Sequence, residues 1–299
     1  MSILLEKNTR VVVQGITGTQ ARVDTLVCRD YGTHIVAGVT PGRGGQDVEG
    51  IPVYDTVREA VEQHGAEASL VYVPALAAKD AVLEALVAGI HLIVAPAELV
   101  PLNDAAKVVD AVRKTDAVMV GFNTVGIITP GEARMGGMGG LDPDEIYAPG
   151  TVGICSRSGG MVAEVAWALK KGGLGVSTAV AMGGDAITGR RMVDYVRMFE
   201  DDPMTKAIAL FGEPGTPNER EVAEHLRANG VKKPVVALIA GTFQENQPVG
   251  VSFGHAAAFI AGEGDGPTEK KKMLSQSGVR IAADLKDIPV QIKAALGRG

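Results

Sequence analysis

His255 sits in the run Gly250-Val251-Ser252-Phe253-Gly254-His255-Ala256-Ala257-Ala258, with small residues on both sides. A strongly apolar strand is expected just upstream, over residues 234–241. An imidazole flanked by glycine and alanine has an accessible ring and a loop free to approach another surface. That suits a group that is modified, carries what it receives and hands it on. Taken alone, the run also fits a plainer histidine that caps a helix or is satisfied in the core. The surroundings that the rest of the chain supplies decide between the two.

Those surroundings follow from the order of elements. The first half alternates short buried strands at 11–14, 34–39, 69–73, 91–95 and 118–121 with helical stretches. The helices are expected from the turn at Gly15 through Arg29, then over 56–63, 77–88 and 103–114, with Asn103 as a cap for the last. Strict alternation implies a parallel sheet with right-handed crossovers. Residues 124–150 are rich in Gly, Pro and Met, show no period and read as a connection. Alternation then resumes, with strands at 151–156, 178–182, 207–212 and 234–240 and helices at 191–199, 218–229, 268–276 and 287–296. The expected division is a first α/β domain over 1–123, the connection, and a second over 151–299.

In such sheets ligands bind beyond the carboxyl ends of the strands. In the second half the loops there read Ser156-Arg157-Ser158-Gly159-Gly160, Gly183-Gly184-Asp185, Gly212-Glu213-Pro214-Gly215-Thr216 and the His255 loop. Their convergence gathers a histidine, a carboxylate to orient its ring, and a Ser/Gly turn opening a helix. Backbone N–H groups at such a helix start favour phosphate or carboxylate. The set is coherent for phosphoryl transfer through a phosphohistidine.

In the first half, Gly15-Ile16-Thr17-Gly18-Thr19-Gln20 follows a strand and opens a helix, so a phosphate-bearing ligand is plausible. The Gly-x-Gly-x-x-Gly spacing is not met. A nicotinamide-binding fold ends its second strand in an acid that holds the ribose diol. Here that strand runs into Thr40-Pro41-Gly42-Arg43-Gly44-Gly45. An arginine in a glycine-rich turn matches a phosphate better than a diol. NADP would tolerate it, and so would the 3′-phosphorylated adenosine of coenzyme A. An exposed turn residue is the plainer reading of Arg43.

The bulk numbers narrow the classes. The 299 residues allow two ordinary domains, and 39 glycines without a period suggest many tight strand-to-helix turns. A net charge of −6 without a basic cluster argues against nucleic acid as a partner. The short run Glu269-Lys270-Lys271-Lys272 reads as a solvated helix face. The two cysteines, Cys28 and Cys155, have no zinc or redox spacing and read as buried thiols. No apolar run reaches a membrane span, and the first residues are too short and charged for a signal peptide. The expected compartment is the cytoplasm, or a mitochondrial matrix after trimming of a transit peptide.

Taken together these motifs resemble the α subunit of the succinate–CoA ligase family, which includes succinyl-CoA synthetase and malate–CoA ligase. The resemblance spans nearly the whole chain. It is carried by Gln14-Gly-Ile-Thr-Gly-Thr-Gln20, Gly38-Val-Thr-Pro-Gly-Arg-Gly-Gly45, Ile128-Thr-Pro-Gly-Glu132 and Val152-Gly-Ile-Cys-Ser-Arg-Ser-Gly159. Gly183-Gly-Asp185, Phe199-Glu-Asp-Asp-Pro203, Gly212-Glu213 and Gly254-His-Ala256 complete it. The resemblance implies a Rossmann-like CoA-binding domain followed by a flavodoxin-like domain that carries the histidine loop. By motif match, Thr17, Gly18, Thr19, Gln20 and Arg43 would contact coenzyme A, with Pro96, Ala97 and Glu98. His255 would be the phosphorylated histidine and Glu213 the carboxylate that steadies it. Ser156, Ser158 and Gly159 would belong to the helix start that receives the phosphate, and Asn123 to the loop near the acid and the thiol. The family passes phosphate from a nucleoside triphosphate to histidine, then to a carboxylate, and finally displaces it with the CoA thiol. No Gly-x-x-x-x-Gly-Lys-Ser/Thr loop occurs here. The resemblance therefore implies a β subunit with an ATP-grasp domain that holds ATP or GTP with Mg²⁺, in an αβ assembly or its dimer.

The chain departs from the family pattern in places. Asn-Cys-Pro-Gly is Asn123-Thr124-Val125-Gly126, and Ser-Gly-Thr-Leu-Thr-Tyr-Glu is Ser158-Gly159-Gly160-Met161-Val162-Ala163-Glu164. Ile-Thr-Glu-Gly-Ile-Pro is Pro96-Ala97-Glu98-Leu99-Val100-Pro101, and Gly-Glu-Ile-Gly-Gly is Gly212-Glu213-Pro214-Gly215-Thr216. The lysine of the Thr-Pro-Gly turn is Arg43, which keeps the charge. The first two changes adjoin the acid and phosphate loops, so malate, citrate and other small di- or tricarboxylates stand beside succinate. A non-catalytic CoA-binding protein and a nicotinamide-dependent oxidoreductase are the competing classes.

Overall fold

The structure is a computed structural model that describes residues 2–248, 250–251, 254–255, 257–262 and 264–297. Ser252, Phe253 and Ala256 of the histidine run, and Val249 just before it, lie outside the described residues. The chain divides into two compact units, one holding Leu4–Pro143 with Ile187–Arg190, the other Asp144–Ala186 with the chain from Arg191 on.

In the first unit β1 (Val11–Gln14), β2 (Ile35–Val39), β3 (Asp47–Val48), β4 (Ile51–Tyr54), β5 (Ala68–Val71), β6 (Leu92–Ala95) and β7 (Val118–Gly121) form one sheet in the order β3-β4-β2-β1-β5-β6-β7. All pairings are parallel except β3 with β4. The helices α1 (Thr19–Tyr31), α2 (Val57–His64), α3 (Ala75–Val87) and α4 (Leu102–Arg113) are the crossovers. Val11, Val12 and Val13 are wholly buried, as a strand covered on both faces requires. Because β1 lies between β2 and β5, the strand order reverses there, the place where sheets of this kind hold ligands beyond the strand ends.

Several local expectations need correction. Asn103 does not cap α4: the cap is Pro101, whose φ of −55° already suits a helix start, and Asn103 lies in the first turn. Thr56 does cap α2, in a capping box with Glu59. The antiparallel pair β3 and β4 was not expected, since strands this short give no period. Residues 124–150 are not simply a connection. They hold an antiparallel hairpin of β8 (Gly126–Thr129) and β9 (Ala133–Met135), all buried. Its β9 is anchored by Thr33, which donates to Arg134 O at 2.6 Å.

The second unit runs β10 (Pro149–Ser156), α5 (Gly159–Lys171), β11 (Val176–Ala181), α6 (Met192–Asp201), β12 (Ala207–Gly212), α7 (Asn218–Asn229), β13 (Val235–Ile239), α8 (Pro267–Gln276), β14 (Arg280–Ile281) and α9 (Asp287–Ala295). Its strands are parallel in the order β14-β13-β12-β10-β11. Because the strands are parallel, the loops after β10, β11, β12 and β13 open on one edge, and the strand order reverses at β10. The α/β reading with two parallel-rich sheets therefore holds. Among the described residues no helix is long and apolar enough to cross a membrane.

Candidate active site

The carboxyl edge of the second unit's sheet holds a cleft of about 280 Å³ lined by Ser158, Glu213, Gly241, Gly254 and His255 among others. Each comes from a loop that follows a strand. Within it Glu213 Oε2 lies 2.8 Å from His255 Nδ1. A carboxylate oxygen accepts, so the hydrogen bond puts a proton on Nδ1, and in the neutral ring that leaves the lone pair to Nε2. The histidine side chain is 24% exposed and the glutamate 11%. The pair is therefore shielded yet reachable.

The ring rests on backbone. A Cβ placed on Gly184 would lie 2.3 Å from His255 Cδ2 and 2.5 Å from Nε2, so only glycine leaves room for the imidazole. Gly184 O accepts from Arg157 Nη2 at 3.0 Å. The same guanidinium is 1% exposed, and its Nη1 lies 3.8 Å from Glu213 Oε2. Arg157 Nε and Nη1 make no hydrogen bond among the described residues. Arg157 thus ties the ring's support to the ring's carboxylate.

Ser158 caps α5, accepting from Met161 N at 3.3 Å. Gly159 and Gly160 follow it, with their N–H groups in the first turn, where a helix has no partners of its own. The helix start therefore offers an anion cradle beside the histidine. Ser156 is placed differently from its neighbours: it is buried, and its hydroxyl donates to Ser158 O at 2.8 Å, shaping the turn from inside. Cys155 next to it is wholly buried, and burial, with the charge of Glu219, pushes its thiol well above the usual range. It stays a neutral thiol.

In the first unit the expected residues fall on the carboxyl edge of the other sheet. Gly15 has φ +76°, and a Cβ there would lie 2.1 Å from Tyr72 O, so the turn after β1 needs glycine. Gly18 is the N-cap of α1 with no side-chain cap, leaving the amides of Thr19 and Gln20 for an anion. Thr17 Oγ1 donates to Thr40 Oγ1 at 3.2 Å, which ties the β1 loop to the β2 loop that carries Arg43. Arg43 is exposed beside Gly42, where a Cβ would meet nothing, and Gly44, whose N–H donates to Asp55 Oδ1 at 2.9 Å. Gln20 donates to Asp24 Oδ2 at 3.0 Å. Pro96 and Ala97 are half-buried and Glu98 exposed, in the loop after β6. Asn123 N donates to Ala97 O at 3.0 Å, joining the β6 and β7 loops. The site residues named from sequence thus form two groups, one per unit.

Sequence reasoning missed three neighbours of the pair. In sequence Gly184 reads only as part of a glycine loop, and Arg157 only as part of the helix-start motif. The run Glu269-Lys270-Lys271-Lys272 reads as a solvated helix face, and the structure corrects this for one residue: Lys270 is 1% exposed and paired with Glu219 at 2.5 Å. Nothing local to the run Glu269-Lys270-Lys271-Lys272 marks one lysine for burial.

Comparison with known proteins agrees with both units. Residues 6–99 match the CoA binding domain, and residues 149–288 match the succinyl-CoA ligase like flavodoxin domain. The chain is 47% identical over 283 residues to the succinate–CoA ligase [ADP-forming] subunit alpha of Aquifex aeolicus, covering 94% of this chain and 90% of that protein. It is 47% identical over 282 residues to subunit alpha 2 of the same ligase from Archaeoglobus fulgidus, covering 94% and 95%. Among solved structures, the Methanosaeta concilii ATP citrate lyase (D541A mutant) in complex with (3S)-citryl-CoA superimposes with a TM-score of 0.90 at 28% identity. That match covers 99% of this chain, which spans 50% of the lyase chain.

Proposed function

This chain belongs to the succinate–CoA ligase α-subunit family, and on that premise we propose that it is the α half of a nucleotide-dependent carboxylate–CoA ligase. The observation that carries the reading is the 2.8 Å pair of Glu213 Oε2 and His255 Nδ1, at a helix start built for an anion. Nε2, with its lone pair, attacks the terminal phosphorus of a nucleoside triphosphate, and the P–O bond to the diphosphate breaks. The ring then carries positive charge, which the Glu213 carboxylate stabilises through Nδ1–H. The first-turn N–H groups of α5 receive phosphoryl oxygens. An oxygen of the acid substrate next attacks phosphorus, the P–N bond breaks, and its electron pair returns to Nε2. The neutral ring is restored without any change of proton at Nδ1.

Residues of the first unit fit a phosphorylated, adenosine-bearing ligand. The uncapped start of α1 suits a phosphate, Thr17 and Thr40 fix the adjoining loops, and Arg43 offers a guanidinium at the sheet edge. Coenzyme A held there supplies the thiol that takes the acyl group from its phosphate. Asn123 and the Pro96, Ala97 and Glu98 loop belong to that side by the hydrogen bond between them. ATP or GTP with Mg²⁺ is held by a β subunit with an ATP-grasp domain. The reading places the enzyme in the cytoplasm.

Succinate is the acid named for the relatives at 47% identity. Citrate is a second reading, favoured by the 0.90 superposition on a chain holding citryl-CoA and by the altered Asn123-Thr124-Val125-Gly126 loop. The test is CoA thioester formation by the complex with its β subunit across succinate, malate, citrate and itaconate. Turnover with one acid, abolished by His255→Asn, is expected. Retained turnover in His255→Asn would overturn the phosphohistidine. CoA binding without turnover on any acid would favour a non-catalytic protein.

A further inference from the structure

We infer that Lys270, with Glu219, is a positioning residue for phosphoryl transfer, acting on His255 through the carboxylate of Glu213. This rests on the reading of Glu213 as the partner of a phosphoryl-carrying histidine.

The argument begins with the ammonium. Lys270 Nζ donates to Glu213 O at 2.7 Å, to Gly215 O, to Thr216 O at 3.1 Å and to Glu219 Oε2 at 2.5 Å. The other oxygen of Glu219 accepts from Glu213 N at 3.2 Å. One ion pair therefore grips both the N–H and the C=O of the residue whose side chain meets the histidine. With amide and carbonyl fixed, the direction of the Cα–Cβ bond of Glu213 is fixed too. Lys270 and Glu219 come from α8 and α7, so two helices set the aim of one carboxylate.

A second observation shows that the loop needs this grip. Thr216, four residues from the end of β12, has φ +53°, a left-handed conformation that a β-branched side chain resists. Such conformations persist only where the surroundings over-determine them. Here Lys270 Nζ holds Thr216 O, and Asn218 Nδ2 donates to Thr216 Oγ1 at 3.1 Å. A buried ion pair is in general weak evidence for stability and better attested as a device that fixes one arrangement. The pair lies behind the loop, and neither residue lines the cleft.

The test uses the complex with its β subunit and follows turnover and single-turnover phosphorylation of His255. Lys270→Met is expected to lower kcat by about 30-fold, with KM for CoA and acid within about twofold, as for an interaction realised in the transition state. Phosphorylation should slow by the same factor. Lys270→Met combined with Glu213→Gln should be no slower than Glu213→Gln alone, since both act through one carboxylate. Because Lys270→Met leaves Glu219 charged and buried, Glu219→Gln/Lys270→Met is the companion, removing both charges at nearly constant volume. The same kinetic pattern is expected of it. Multiplicative losses with Glu213→Gln, or equal losses in kcat and in CoA affinity, would overturn the inference and mark a general structural defect. Wild-type kcat in either Lys270 variant, with Glu213→Gln impaired, would overturn it alone. Wild-type kcat in Glu213→Gln would instead overturn the reading beneath it.

Discussion

Gly184→Ala separates catalysis from folding in one substitution. A Cβ at this position meets His255 Cδ2 at 2.3 Å, while ordinary contact begins near 3.4 Å. The deficit is 3.4 − 2.3 = 1.1 Å, and one side has to give. The backbone of residue 184 is held by Arg157 Nη2 at 3.0 Å, so the partly exposed ring moves. A Cβ against Cδ2 and Nε2 shifts the ring by about 1.1 Å, which re-aims Nε2 and disturbs the 2.8 Å pair of Nδ1 and Oε2. A reacting atom misplaced by about 1 Å can cost about 100-fold, so kcat should fall by a factor between about 10 and 100. Folding should not suffer. The φ of Gly184 lies outside the left-handed region, and alanine restricts the unfolded chain, which stabilises by about 0.4–1 kcal/mol. The assay is CoA thioester formation by the αβ complex, with thermal unfolding of the same samples. Turnover within threefold of wild type in a folded variant would refute the reasoning. So would a large fall in Tm, because the clash would then have been absorbed by the backbone.

Three further outcomes are expected. Arg43→Ala should weaken CoA by about tenfold, while dephospho-CoA binds both proteins alike, if Arg43 meets the 3′-phosphate; isothermal titration with the two ligands checks this, and equal losses would remove that contact. Burial raises the pKa of both Cys28 and Cys155, which suppresses the thiolate, so neither should react with a disulfide reagent in the native protein at pH 8, and both should react after denaturation. Thr56→Ala removes the side-chain half of the capping box on α2 and should cost about 1 kcal/mol of stability in denaturant unfolding without changing turnover.

Legibility followed the range of the forces involved. Strands covered on both faces, such as Val11-Val12-Val13-Gln14 and residues 207–212, announce themselves as apolar runs between turns, and α7 over Asn218–Asn229 by its period. The edge on which ligands bind then follows from topology, which is why Glu213, Ser158 and His255 could be named together from the sequence. Short antiparallel pieces were not legible, because β3 has two residues and β9 three, fewer than a period needs. Burial of one lysine in a lysine run was not legible either. Its partner Glu219 lies 51 positions earlier, and only the packing of α7 on α8 brings them together. The contact of Gly184 with the imidazole is of the same kind: a glycine loop reads as a turn, and the ring it accommodates arrives from another strand's loop.

Arg157 also offers the Glu213 carboxylate a counter-charge that does not change through the cycle. A histidine that receives and gives up a phosphoryl group changes its own charge, so it cannot be the constant counter-charge of its partner. Arg157 can, since a guanidinium stays protonated, and its Nη1 stands 3.8 Å from Glu213 Oε2 with the side chain wholly buried. The arrangement has a cost when the carboxylate is lost, because a buried guanidinium is left without its anion. Glu213→Gln should therefore destabilise the protein by about 1–3 kcal/mol, below the usual figure for a broken buried pair because Glu213 is not wholly buried and the 3.8 Å contact is no hydrogen bond. Arg157→Met in the same chain should recover most of that loss, as removing both charges does for buried pairs. Denaturant unfolding of the two single variants and the double variant gives the coupling. Additive losses would show that Arg157 and Glu213 do not share charge. The carboxylate would then depend on the histidine alone, and Arg157 would not be its constant counter-charge.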